Sequence, residues 1–472
     1  MSLTAPLRFH ELSRDRLLFV DDTGSAFTSG EAFLDRLALD QLTSADQAFL
    51  QQEAFTTPSN RLESIAQLRG LADRFARTEP LSYFIVVPTL RCDLRCGYCQ
   101  VSRVNADRQG FDWTREILEN TARLIDQAQP GPVQIEFQGG EPLLRTDLIE
   151  TLICIVSERR PGSRFVLCTN LSEINVEAWR LFEREDVYIS TSLDGPRNVH
   201  QKNRTANVER TDRFFDNLSQ VIRRCGIDRV SALPTIDYRD PPSPREIIET
   251  YSSFGLRSIY LRPVNYQGFA RKAHSSVRAD AASWNAYHRS FVEEMIAFNA
   301  ETDTVLEEYY LTTCLKRCLR SGENSHVDLR NPNRYGIDYI VVDYDGAIYP
   351  TDEARMLSRS GVIDLRIGDV SDGFEPSNPT LNALNAGSAN NLDPDCIHCA
   401  FQAACGVDLI DDISRYGRRD LPRPDTFFCQ RQTAMFDLAW KLLLDRSPAI
   451  RHSVCAWLDI PFTDQALIPH HD

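Results

Sequence analysis

The sequence predicts an α/β chain built on a parallel sheet, with a small α+β region before it and a cysteine-rich region after it. Three observations carry that reading. Six apolar, β-branched runs recur at residues 83–90, 133–138, 164–169, 187–193, 230–236 and 258–263. Amphipathic helical stretches such as 114–127 and 147–158 lie between them, and strands alternating with helices make βαβ units. The residues with chemical potential fall at the C-terminal ends of the runs, where (β/α) barrels keep their chemistry.

Composition narrows the function. Acids outnumber bases, 67 to 52, for a formal net charge of −15. A nucleic-acid partner is disfavoured, because phosphate binding wants a basic face. No run of about 18 apolar residues appears, so no membrane span is expected. The N-terminus lacks a secretory apolar segment. Thirteen cysteines without a secretion signal suggest metal ligation in a reducing, cytoplasmic setting.

The N-terminal region comes first. Residues 7–12 and 17–21 read as short strands, with a turn at Asp22-Thr-Gly24. Residues 31–39 and 44–53 read as helices, the second with Ser44 as N-cap and Gln47 completing a capping box. Residues 60–78 read as a connecting helix.

The first strand runs into Cys92, Cys96 and Cys99, a C-x3-C-x2-C run with Tyr98 before the last cysteine. Three thiolates hold three irons of a [4Fe–4S] cluster and leave the fourth iron open, since such clusters normally take four cysteines. The alternatives are a zinc knuckle or a redox thiol pair. The second strand ends in Gly139-Gly140-Glu141-Pro142. Its glycines allow close backbone approach, and its carboxylate suits an ammonium. The third ends in Thr169-Asn170. The fourth ends in Ser192-Leu-Asp194-Gly-Pro196, followed by His200 and Arg204. The sixth carries Leu261. Near the C-terminus stand Cys396, Cys399, Cys405 and Cys429, in a C-x2-C-x5-C triplet plus one. Four thiolates suit an iron–sulfur cluster or a tetrahedral zinc. Cys314 and Cys318 are spaced for one helix face.

The cysteine run and the strand-end motifs resemble the radical S-adenosylmethionine (radical SAM) enzymes. The C-terminal cysteines resemble the SPASM domain. Within that family the segment around Thr351, the Cys405–Asp408 run and the length are most similar to the His-Xaa-Ser system radical SAM maturase group. The resemblance implies a partial (β/α)6 TIM barrel over 81–275, a SPASM-like iron–sulfur domain over 276–472 and a winged-helix-like N-terminal domain over 1–80. That N-terminal domain would be a candidate leader-peptide binder, or a structural collar on the barrel.

The resemblance also implies site roles. Cys92, Cys96 and Cys99 would hold the SAM cluster. Tyr98, Gly139, Gly140, Glu141, Asn170, Ser192, Asp194, Arg204 and Leu261 would contact SAM or shape its site. Cys396, Cys399, Cys405 and Cys429 would hold one auxiliary [4Fe–4S] cluster. A second auxiliary cluster is not expected, because Thr351 and Leu409 stand where the family has cysteine, and Asp408 is only a substitute oxygen ligand. Asp352 would be a catalytic base. The implied activity is cleavage of SAM to a 5′-deoxyadenosyl radical and oxidation of a ribosomal precursor peptide, giving a crosslink or another modification. A flavodoxin or ferredoxin would deliver electrons. The alternatives are a formylglycine-type sulfatase maturase and a non-catalytic iron–sulfur electron carrier.

Overall fold

The computed structural model describes residues 6–56, 81–128, 130–319, 329–375 and 377–471. The expected connecting helix at 60–78 lies outside them. Nine strands form one sheet. Five of them are the predicted barrel strands Tyr83–Thr89, Gln134–Gly139, Arg164–Cys168, Val187–Ser192 and Val230–Leu233, each parallel to the next. Side chains alternate across this sheet. Phe84, Val86, Ile135, Phe137, Phe165, Leu167, Val187 and Ile189 face the main core under the helices. Glu136, Gln138, Cys168, Ser190 and Ser192 line a cavity on the opposite face. Period-two alternation therefore separates an apolar outer face from a polar inner one.

Three of the helices between the strands start on a side-chain cap. Thr114 accepts from the Ile117 N–H at 3.2 Å and opens Arg115–Gln127. Asn175 accepts from Ala178 N–H at 2.8 Å and opens Val176–Phe182. Asn207 accepts from Arg210 N–H at 2.9 Å and opens Val208–Cys225. These caps satisfy N–H groups that the first helical turn leaves free.

The last two predicted strands are broken. Residues 230–236 split into Val230–Leu233, which stays in the main sheet, and Thr235–Ile236. Residues 258–263 split into Ser258–Ile259 and Arg262–Pro263. Pro234 sits at the first break and has no N–H for a ladder. At the second break the Leu261 N–H turns to Glu308 Oε1 at 3.1 Å. Thr235–Ile236 and Arg262–Pro263 then pair in parallel, carrying the wall round to a sixth position.

The first barrel strand is not an edge. Ile340–Val342 pairs with it in parallel, and the antiparallel strands Ala347–Tyr349, Gly368–Asp369 and Gly373–Phe374 follow. Residues far along the chain thus extend the barrel sheet.

The N-terminal region is a three-stranded antiparallel sheet, Arg8–Ser13, Arg16–Val20 and Ala26–Ser29, followed by helices Glu31–Ala38 and Ser44–Gln52. The third strand was not expected. Its Phe27 joins Leu17, Phe19, Phe33, Leu50 and Phe55 in a separate small core. The second helix corrects the expected cap. Thr43, not Ser44, is the N-cap, and its hydroxyl accepts from Asp46 N–H at 3.1 Å. Asp46, not Gln47, returns the bond by accepting from Thr43 N–H at 2.8 Å. Asp is short and charged and fits the N3 position beside the free N–H groups.

Candidate active site and cysteine centres

The C-terminal ends of the barrel strands enclose a cavity of about 240 Å³. Cys92, Cys96, Tyr98, Cys99, Gly139, Gly140, Asn170, Ser192 and Arg204 all line it. Gln138, Thr191, Leu233, Thr235, Pro263 and Asn265 complete much of the wall.

The cysteine loop is held by backbone. Gly140 N–H donates to Thr89 O at 3.0 Å, and Glu141 N–H donates to Arg91 O at 2.7 Å. The two glycines make that approach possible. Gly139 has φ +120°, and a Cβ there would stand 2.4 Å from Thr89 O; one at Gly140 would stand 2.1 Å from Arg91 O. Both values are far inside carbon–oxygen contact. Both glycines line the cavity and also lie against the start of the cysteine loop. At its other end, Cys99 O accepts from Phe269 and Ala270 N–H at 3.0 and 3.2 Å. A Cβ at Gly268 would stand 2.0 Å from Gln100 O. Gly97 N–H donates to Asn203 O at 3.1 Å. Gly268 and Asn203 were missed, because nothing local in the sequence marks a contact made across 100 residues or more.

Glu141 lies just behind the cavity wall. It accepts from Thr169 Oγ1 at 2.8 Å, Asn170 N–H at 2.7 Å and Leu143 N–H at 3.1 Å. Burial pushes its carboxyl up to about 7, against the pull of those donors. It ties the second strand end to the third. Asn170 in turn donates from Nδ2 to Asp93 Oδ1 at 2.7 Å, inside the cysteine loop.

A buried relay links the fourth strand to the loop. Tyr98 OH donates to Asp194 Oδ2 at 2.5 Å and accepts from Arg204 Nη1 at 2.8 Å. Asp194 is fully buried and also accepts from Asn203 Nδ2 at 3.2 Å and Thr235 N–H at 3.3 Å. Burial raises the Asp194 carboxyl while Arg204 opposes it. Tyr98 therefore positions the Arg204 guanidinium at the cavity wall. Changing Tyr98 to Phe removes a bond from a charged group on each side. We expect the affinity of the cavity for a carboxylate-bearing ligand to fall about tenfold; unchanged affinity by calorimetry would refute that role.

Two residues singled out from the sequence stand elsewhere. Leu261 lines a separate, smaller cavity of about 50 Å³, together with Arg262, Glu353, Asp408 and Arg415. His200 is a core residue, stacked on Phe214 with centroids 4.0 Å apart. Burial holds its imidazole well below the usual range, and neither ring nitrogen has a hydrogen-bond partner among the described residues.

The second cysteine set lines a cavity of about 620 Å³. Cys396, Cys399, Cys405 and Cys429 share its wall with Phe401, Arg423, Phe428 and Asp437. Arg423 braces the loop, with Nε on Asp393 at 2.8 Å and Nη1 on Asp412 at 2.6 Å. Arg317 Nε donates to Ala404 O at 2.7 Å. Thr426 caps the helix Phe427–Leu444 by accepting from Cys429 N–H at 3.2 Å. His10, from the N-terminal sheet, also lines this cavity, 3.3 Å from Asp437 and packed on Phe401.

Burial raises the thiols of Cys92 and Cys96, and likewise Cys396, Cys399, Cys405 and Cys429; Cys429 is pushed up to about 11. Such thiols ionise only with positive charge beside them. Among the described residues, no three His, Cys, Asp or Glu side chains gather closely enough for one metal ion.

The positions where the family resemblance implied a further cysteine pair have other uses. Thr351 is the N-cap of Asp352–Arg359 and accepts from Ala354 N–H at 3.0 Å. Asp408 caps Leu409–Tyr416, and Leu409 is core. Cys314 and Cys318 are buried on the helix Tyr309–Leu319. Asp352 is buried and accepts from Arg355 Nε at 2.8 Å; Arg355 is fully buried and lies 3.5 Å from Asp343. Asp352 is not part of the cysteine cavity wall, though its charge reaches Cys168, which is.

Residues 86–243 match the family model of the Radical SAM superfamily. Over stretches of 134 to 198 residues the chain is similar to curated proteins and spans less than two thirds of each. It is 28% identical over 182 residues to an uncharacterised protein of Methanothermobacter thermautotrophicus, covering 37% of this chain and 64% of that one. It is 30% identical over 198 residues to a GTP 3′,8-cyclase of Mycobacterium marinum (40% and 51%). It is 28% identical over 134 residues to a cysteine-type anaerobic sulfatase-maturating enzyme of Clostridium perfringens (26% and 36%). Among solved structures, anSMEcpe with bound AdoMet is 17% identical, with TM-score 0.61 over 81% of this chain and 98% of that one. Streptococcus suis SuiB bound to its precursor peptide SuiA is 15% identical, with TM-score 0.50 over 89% and 99%. At those identities the likeness is one of fold.

Proposed function

We propose, taking residues 86–243 as a Radical SAM domain, that this protein cleaves S-adenosylmethionine and oxidises a ribosomally made precursor peptide. One observation carries the reading. Six residues chosen from four separate strand ends line a single cavity with the three cysteines. Cys92, Cys96 and Cys99 would hold the SAM cluster, and Cys396, Cys399, Cys405 and Cys429 one auxiliary cluster. When bound, these groups would supply one-electron chemistry: reductive cleavage of SAM, hydrogen-atom abstraction from the peptide and an acceptor for the electron then released.

The chain's own residues do the rest. Arg204, held by Tyr98, pairs with the SAM carboxylate, because a guanidinium fork matches a carboxylate. Ser192 and Asn170 complete the polar wall. Leu233 and Pro263 give it an apolar patch. Gly139, Gly140 and Glu141 fix the loop that carries the cysteines. The polar inner face, with Gln138 and Ser190, meets the peptide. Asp352 takes the proton as the peptide is oxidised.

We assign residues 1–80 to a peptide-handling domain, 81–275 to the barrel and 276–472 to the SPASM-like part. The setting is the cytoplasm, with a flavodoxin or ferredoxin as electron donor. Among the described residues no helix is long and apolar enough to cross a membrane.

The test is anaerobic reconstitution with iron, sulfide, SAM and reductant, read by mass spectrometry for 5′-deoxyadenosine and for a mass change in a candidate peptide. No 5′-deoxyadenosine would refute the reading. Changing Asp352 to Asn should keep 5′-deoxyadenosine formation and lower modified peptide by about 10²–10⁴-fold. Equal loss of both products would move Asp352 to a purely structural role with Arg355.

A further inference from the structure

The outer edge of the N-terminal sheet is occupied by residues 469–471 of the same chain. Thr28, on the third strand, donates its N–H to Pro469 O at 3.0 Å and accepts from His471 N–H at 2.8 Å. These bonds form a parallel bridge to His470. Thr28 Oγ1 lies 2.9 Å from His470 Nδ1. The His471 ring enters a pocket made by three residues of the two N-terminal helices. It stacks on Phe49, with centroids 4.5 Å apart and planes 16° apart. It meets the Phe33 edge at 5.5 Å. Its Nε2 is 2.7 Å from Asp46 Oδ1.

The pocket's carboxylate is also held by contacts other than the tail's. Asp46 is 1% exposed and is fixed by Thr43 and by the bidentate Arg36 at 2.6 and 2.7 Å. Phe33 belongs to the small core behind the sheet. A stacked wall, an aromatic edge and a carboxylate at the ring nitrogen together select an imidazole.

The tail uses this edge sparingly. Along the strand Ala26–Ser29 it bonds only Thr28 among the described residues. In a parallel ladder the same edge would next be read at Ala26 and Gly30, two residues to either side. Between the helix Pro448–Trp457 and the bridge at His470, the tail has no helix or strand of its own. A longer extended peptide carrying an imidazole would make more ladder bonds than the tail and fill the same pocket. Adding a strand to an open sheet edge is a general way to capture a peptide.

We infer that this edge is a docking site for an extended peptide that presents an imidazole, and that residues 469–471 close it as an internal stand-in. The inference rests on the peptide-oxidising reading only for the source of that peptide. Its experiment involves neither SAM nor iron, so the two fail separately.

The probe is a fluorescein-labelled synthetic peptide of residues 460–472, titrated by anisotropy into the full chain and into a chain lacking residues 468–472. The shortened chain should bind the probe saturably, and the full chain should bind it at least about tenfold more weakly because its own tail competes. A probe carrying His471→Ala should lose about tenfold or more in affinity for the shortened chain. A folded shortened chain that ignores the probe, or that binds both probes equally, overturns the inference. Should the shortened chain not fold, full-length His471→Ala replaces it. Its Thr28 amide should exchange about tenfold faster than in wild type while that of Phe19 stays protected, and it should take up the unaltered probe. An unchanged Thr28 amide with no probe uptake overturns the inference as well.

Discussion

Replacing Cys92, Cys96 and Cys99 together by alanine is expected to abolish 5′-deoxyadenosine production and leave about four irons per chain. The three thiols line one cavity with Arg204, Ser192 and Asn170, so their loss removes the iron ligands and spares the polar wall. The loop should survive the change. Its course is set by the backbone bonds of Gly140, Glu141, Gly97, Phe269 and Ala270, and none of these uses a thiol. The melting temperature should therefore move little once both proteins are compared without iron. On the proposed reading the remaining iron would belong to Cys396, Cys399, Cys405 and Cys429, which line a separate cavity. About eight remaining irons would mean that Cys314, Cys318 or Asp408 completes a further centre. Zinc in place of iron would remove the auxiliary cluster from the proposal.

The second large effect is expected from Gly140→Ala, a change of one methyl group. The new Cβ would stand 2.1 Å from Arg91 O and 2.6 Å from its carbonyl carbon. Backbone cannot swing aside as a side chain does, so the strand end and the loop must separate. That breaks the bonds from Gly140 N–H to Thr89 O and from Glu141 N–H to Arg91 O. The cost is roughly 3 kcal/mol, at the upper end for overpacking. Arg91 directly precedes Cys92, so the displacement moves the first thiol. Expected results are a lower melting temperature and loss of iron at the first site, with the second site still loaded. A Gly140→Ala protein with full iron and wild-type 5′-deoxyadenosine output would show that the loop does not depend on this contact. Gly110→Ala is the control for composition. Gly110 also has positive φ, but a Cβ there meets nothing within 4 Å, so only the backbone cost should appear.

Local signals made the core of the site legible. The cysteine spacing, the paired glycines and the Ser-Leu-Asp-Gly-Pro block each act within a few residues of a strand end, and the structure gathers them at one cavity. What stayed hidden depends on contacts between distant segments. Tyr98 and Arg204 are 106 positions apart, and only the fold shows that one hydroxyl joins Arg204 to Asp194. Gly-Gly was readable as a close approach, but the partner was the cysteine loop. Five barrel strands were legible from β-branched runs. The breaks in the last two runs come from Pro234 and from Glu308 capturing the Leu261 N–H, and the second is invisible locally. The strand Ala26–Ser29 is only four residues long, too short for alternation to separate it from its turn. The Thr43 cap competed with Ser44 next to it, and the choice was made by Asp46 in three dimensions.

The pairing of Ile340–Val342 with the first barrel strand has a consequence for biosynthesis. Until those residues leave the ribosome, about 250 positions after the first strand, that strand presents a row of unsatisfied N–H and C=O groups beside the buried apolar face of Ile85 and Val87. Non-local parallel pairing is slow to form, and an open apolar edge is a template for a second chain. Overproduction at high temperature should therefore favour inclusion bodies. Slower synthesis should raise the soluble yield by giving each nascent chain time to close its own sheet before it meets another.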